Sequence, residues 1–169
     1  MKILGLGHAV GDARKLADVD HPNEVQLEAI RNAGYNEFFV NPGTSRAMAA
    51  RAVIKALEDA GYRADDVGFI VAGQSNVPDF ICIDLACQVG AELGGLEVRT
   101  VNLVESCAAA ISGWFSASAL VDGLQPGQVG VVVLAQRVSE KHHDRFGMMN
   151  AVLSDGGGAS STEPGTTSP

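Results

Sequence analysis

Aromatic side chains are scarce: six Phe, two Tyr and one Trp amount to 5% of 169 residues. A core in such a chain has to be assembled from Ala, Val, Leu and Ile. Cysteine is scarcer still. Cys82, Cys87 and Cys107 make an odd number with no CxxC pair, which argues against a disulfide framework and against a zinc site. No block of Lys and Arg occurs, and 12 basic against 20 acidic residues give a formal charge of −8. Sequence-independent binding of nucleic acid needs clustered cations, so that class of partner is excluded; the acidic surface serves solubility. Long apolar runs are missing as well. The opening MKILGLGHAVGD carries one Lys and too few apolar residues for a signal peptide or a membrane span. The expectation is a cytoplasmic chain without a membrane partner.

The residues that are present describe a packed α/β chain. Hydrophobic residues make up 46% and charged ones 19%, within the globular range, and the length suits one domain. ILGLGHAV (3–10) reads as a buried strand, 11–24 as a polar loop, VQLEAIRNAGY as a short helix and FFV (38–40) as a short strand. Thr44 or Ser45 can cap a long helix that ends at Gly61. Val67–Ala72 is a strand, and VPDFICIDLACQVGAELGG a loop followed by a helix. LEVRTVNLV is a strand, and CAAAISGWFSASALVDG a helix of small residues. VGVVVLAQ is the most strand-like run, and AVLSDGGGA reads as a strand running into a glycine turn. The alternation predicts a layered α/β/α structure, a mostly parallel sheet covered by helices. The helix after Cys107, rich in Ala and Ser, is expected at its buried centre. The domain spans 1–159, and 160–169 is expected to be a polar tail.

A cysteine between a core strand and a core helix admits two readings. It can be a small buried hydrophobe, the commonest fate of a free thiol. Alternatively, the unpaired N–H groups and dipole of the helix start favour its thiolate and can hold an oxyanion. Two glycine motifs carry no cofactor. GLGHAVG (5–11) is one residue too long for a dinucleotide fingerprint and has no acidic residue at the end of a second strand, and DGGGA (155–159) lacks the Gly-Lys of a phosphate loop. No cofactor and no metal are expected.

Five ordered segments decide between the two readings of Cys107. MAARAVIKALEDAGYRADDVGFIVAG is similar to the first long helix and second core strand of the thiolase-fold condensing enzymes. PDFICIDLACQVGAELGG is similar to their Pro-led helix, and VNLVESCAAAISGWFSASALVDG to their nucleophile strand, cysteine and central helix. VGVVVLAQRVS and DRFGMMNAVLSDGGGAS resemble the following strand and the DR…GDGAGA segment. Over residues 45–160 the chain resembles the N-terminal half of these enzymes, the ketoacyl-acyl-carrier-protein synthase III group in particular. By that resemblance Cys107 is the acyl-accepting nucleophile, loaded from an acyl-coenzyme A or acyl-carrier-protein thioester for Claisen condensation or acyl transfer, and its N–H is half of an oxyanion hole. Phe80 corresponds to a stretch that lines the partner's acyl pocket in the resembling dimers, and is otherwise a core or interface residue. Cys82 and Cys87 are read as packing residues.

The resemblance also implies what this chain lacks. The family's catalytic His and Asn belong to the second half of a longer chain. His142 and His143 sit in a charged loop (SEKHHDRF), and His8 and His21 match no motif. Three departures stand out: Glu105 where the family more often has a small residue, AQRVS in place of an acidic strand end, and FFVNPGTSR in place of a Trp/Arg coenzyme A-binding stretch. The last favours carrier-protein delivery. The expected function is the nucleophile-bearing subunit of a split ketosynthase, completed by a C-terminal-half subunit that supplies His and Asn and covers the central helix. The alternative is a non-catalytic scaffold or chain-length-modulating partner of a complete ketosynthase. A fragment of a longer chain is the third way to read the half-length, and the polar end SSTEPGTTSP favours a natural terminus over a cut through the core.

Overall fold

A computed structural model describes residues 1–21, 23–75 and 84–165. Phe80 and Cys82 lie outside the described residues. The chain runs β1 (Lys2–Val10), β2 (Asp12–Lys15), α1 (Glu24–Asn32), β3 (Glu37–Val40), α2 (Ser45–Ala60), β4 (Val67–Gln74), α3 (Leu85–Glu92), β5 (Arg99–Val104), α4 (Ala109–Leu120), β6 (Val129–Gln136) and β7 (Gly156–Glu163). Five strands form one sheet in the order β1-β7-β6-β4-β5, and β2 pairs with β3 in a small second sheet. β4 pairs parallel with both β5 and β6, while β7 is antiparallel to both β6 and β1. Four of the five strands therefore run the same way, with β7 inserted against them. Helices pack on both faces, so the layers are α/β/α.

Local chemistry accounts for the element ends. The Thr44 side chain accepts a hydrogen bond from the Ala47 N–H at the start of α2, and Gly61 closes the helix in the left-handed region at φ +76°. Asn23 caps α1 through Gln26 N–H. On one face of the sheet, α2 and α3 bury Met48, Ala52, Val53, Ile70, Val89, Val131 and Val133. Gly7 is what lets α2 lie so close to β1: a Cβ there would stand 2.1 Å from the Ala52 carbonyl oxygen. On the other face, α4 covers Phe69, Val71 and Val132 of β4 and β6. A satellite cluster of Leu16, Leu27, Ile30, Phe38 and Val152 roots α1 and the β2–β3 pair.

Four sequence expectations change. The polar loop over 11–24 contains β2 and a short 3-10 turn whose Leu16 is buried, because one apolar residue suffices to anchor the stretch to the satellite cluster. The glycines expected to end a strand begin one: β7 starts at Gly156. The polar tail does not start at 160, since Ser160, Ser161 and Thr162 are buried in β7. The strand is held by backbone pairing on both sides; Ser161 Oγ donates to the Ala56 carbonyl at 3.3 Å, whereas Thr162 Oγ1 is buried without a hydrogen-bond partner. The helix expected at the buried centre is covered on one side only. Ala109, Gly113 and Ala117 face the sheet, while Ile111 and Phe115 are 65% and 73% exposed, since no second layer among the described residues reaches them.

Candidate active site at the start of the central helix

β5 delivers the chain to Glu105, a single 3-10 turn of Ser106–Ala108 follows, and α4 continues from Ala109. Cys107 is exposed in that turn. Ser106 before it has φ 53°, the one non-glycine residue of positive φ among the described residues. The turn lies beyond the carboxyl ends of the parallel strands β4 and β6, where α/β sheets commonly seat ligands. The Ser106 and Cys107 N–H groups precede any carbonyl that the helix itself could offer them.

Around Cys107 opens a crevice of about 270 Å³. Gly73, Gln74 and Ser75 of the β4 end, Leu134 and Gln136 of β6, and Gly156, Gly157 and Gly158 of β7 line it with Ser106 and Ala110. Small residues make this space. A Cβ on Gly73 would press within 2.9 Å of the Ala109 Cβ, whereas one on Gly158 would meet nothing within 4 Å. A second, separate crevice of about 360 Å³ beside Trp114, Leu6 and His8 shares Leu134 and Gly158 with the first as lining residues.

Two polar devices hold the rim, and sequence reasoning assigned neither. Gln136 accepts from the Ser75 N–H at 3.1 Å and from Ser75 Oγ at 2.8 Å, and its own amide donates to the Arg137 carbonyl at 2.7 Å. The departure AQRVS thus replaces a charge with an amide that ties β4 to β6. Beside the β7 glycines in sequence, Arg145 Nη1 donates to Asp155 Oδ1 at 3.0 Å and to the Leu153 carbonyl at 2.7 Å. Asp155 also accepts from the Asn41 and Val138 N–H groups, each at 2.8 Å. Both partners are buried, and Asp155 immediately precedes the glycines that floor the crevice. The DR and DG pairs in DRFGMMNAVLSDGGGAS were the visible signal, but nothing in their spacing says that the two ends meet.

The remaining residues singled out from the sequence lie elsewhere. Cys87 does not pack inside. It is exposed on α3, with Sγ 3.5 Å from Thr100 Oγ1, because the apolar side of that short helix is already filled by Leu85, Ala86 and Val89. His142 is exposed and contacts Ser139 Oγ through Nδ1 at 2.9 Å, and His21 contacts Asp144 at 3.3 Å. No histidine lines the Cys107 crevice among the described residues. Among those residues no group of three His, Cys, Asp or Glu could hold a metal ion, and no helix is long and apolar enough to cross a membrane.

Comparison with solved structures matches this arrangement of sheet, turn and helix. 3-Oxoacyl-[acyl-carrier-protein] synthase III from Aquifex aeolicus superposes with a TM-score of 0.79 over 98% of this chain and 54% of its own, at 21% identity. The β-ketoacyl-[acyl-carrier-protein] synthase III of Thermus thermophilus gives 0.79 over 97% and 51%, at 26% identity. The acyltransferase ChlB3 gives 0.80 over 96% and 50%, at 20% identity. The chain has the fold of the N-terminal half of a thiolase-fold condensing enzyme. It spans about half the length of each of these structures. No protein-family model and no curated protein matches the sequence.

Proposed function

We propose that this chain is the nucleophile-bearing half of a condensing enzyme of the ketosynthase III type. The reading is carried by one observation: an exposed thiol in the first turn of a helix, at the carboxyl ends of parallel strands, opening onto a crevice floored by glycine. Cys107 takes an acyl group from a coenzyme A or carrier-protein thioester. Its sulfur adds to the thioester carbonyl, the tetrahedral oxyanion is held in part by the Cys107 N–H, and the carbon–sulfur bond to the carrier breaks. The carrier thiolate leaves and takes up a proton. The acyl group then passes to a second substrate, by decarboxylative condensation or by simple transfer.

No described residue that lines the crevice is a general base. We therefore assign His and Asn to a complementary C-terminal half, carried on a second chain and docked over α4. The apolar surface of Leu6, Ile111 and Phe115, each at least 65% exposed, supports such a partner. The same lack of a base supports the second reading, a non-catalytic scaffold or chain-length-modulating partner of a complete ketosynthase. Intact-mass measurement after incubation with acyl-coenzyme A, and separately with acyl-carrier protein, divides the two. Uptake of one acyl group that Cys107→Ala abolishes supports the enzyme reading. Labelling elsewhere, or none in the presence of a stoichiometric partner found by native mass spectrometry, supports the scaffold. Phe80 is assigned to the acyl pocket or the interface, and Phe80→Ala is expected to alter the chain length accepted without preventing acylation of Cys107.

A further inference from the structure

Glu105 closes β5, and its carboxylate accepts a hydrogen bond from Ser112 Oγ, seven residues on and one turn inside α4. Between these two residues lies the turn that presents Cys107, with Ser106 held in the left-handed region at φ 53°. An L residue adopts that conformation only where its surroundings impose it. The constraints on this turn are few. Ala108 N–H bonds the Glu105 carbonyl at 3.1 Å and Ala109 N–H the Ser106 carbonyl, and neither Glu105 nor Ala108 caps a helix with its side chain. Glu105, Ser106, Cys107 and Ala108 are all exposed, so packing does not hold the turn either. The side-chain link that spans it is Glu105–Ser112.

We propose that Glu105 and Ser112 form a brace that positions the Cys107 thiol. The brace joins the strand end to the helix across the strained turn, and so keeps Ser106 left-handed and Cys107 aimed into the crevice. Glu105 acts through Ser112 and the backbone; it is a positioning residue. This also gives a role to the carboxylate that stands two residues before the thiol. The proposal rests on Cys107 being the reactive thiol, but its test does not depend on acyl transfer.

The rate of Cys107 alkylation by iodoacetamide, followed at that residue by peptide mass analysis across pH, reads the position of the thiol directly. Glu105→Ala and Ser112→Ala should each lower the limiting rate at high pH by about ten-fold, the loss expected if an unbraced turn presents the thiol only about a tenth of the time. The double variant should be no slower than either single one, because both changes break the same bond. Glu105→Gln keeps an oxygen that accepts from Ser112 and should stay within about two-fold of the parent, as hydrogen-bond rather than charge retention requires. Circular dichroism checks that each variant is folded, Glu105 being exposed and Ser112 half-buried. Ser112→Ala reacting like the parent or faster, additive losses in the double variant, or Glu105→Gln falling as far as Glu105→Ala would each overturn the brace. A chain that alkylates as expected yet never accepts an acyl group would retain the brace and overturn the proposed function instead.

Discussion

On one face of the sheet, α2 and α3 close over the strands so completely that Met48, Ala52, Val53, Ile70 and Val89 have no exposure at all. On the other, α4 is the one helix among the described residues that lies over β4, β5 and β6, the β1 residue Leu6 is 65% exposed, and the outer side of the helix offers Ile111 and Phe115 to its surroundings. Both faces use the same small apolar residue types, so composition does not separate them. The difference is the number of layers available. The closed face finds its second layer within this chain, whereas the open face has one helix where the breadth of the sheet would seat more than one. The exposed thiol sits on the open face.

The contrast can be broken most forcefully at the rim where the faces meet. Asp155→Ala removes the buried carboxylate partner of Arg145, leaving it only the exposed Glu140 at 3.2 Å, and frees two backbone N–H groups; it should cost about 3–5 kcal/mol in urea unfolding. Met48→Ala, on the closed face, leaves a cavity in a fully packed site and should cost about 2–5 kcal/mol by the same measurement. Gly7→Ala forces α2 away from β1 and should cost about 1–3 kcal/mol as overpacking. On the open face, Phe115→Ser should change the stability of the isolated chain by about 0.5 kcal/mol or less. The same variant should weaken capture of a complementary half in native mass spectrometry. A large loss of stability in Phe115→Ser, or a small one in Met48→Ala, would mean that the two faces are closed alike.

Much of this was legible in the residues. The strands at 67–72 and 129–136 are runs of Val, Ile and small residues, and the caps of α2 at Thr44 and Gly61 are chemical signals that act within a few residues. The strand–Cys–helix passage was legible for the same reason. The start of β7 was not: Gly156, Gly157 and Gly158 look like a turn locally and become strand because β1 and β6 pair with them from both sides. The role of Gln136 was hidden because its partner Ser75 lies 61 residues away. The exposure of Cys87 was hidden because three neighbours on one turn of α3 compete for a single buried side.

The sequence by itself determined the α/β alternation, the capped helices and the placement of a thiol at a helix start, since these depend on side-chain periodicity and on backbone groups only a few residues apart. The tertiary structure alone decided which glycines line the crevice, that Arg145 meets Asp155, and that α4 is covered on one side. Each of those depends on strands distant in the chain becoming neighbours, and the free energy that brings them together comes from burial summed over the whole sheet.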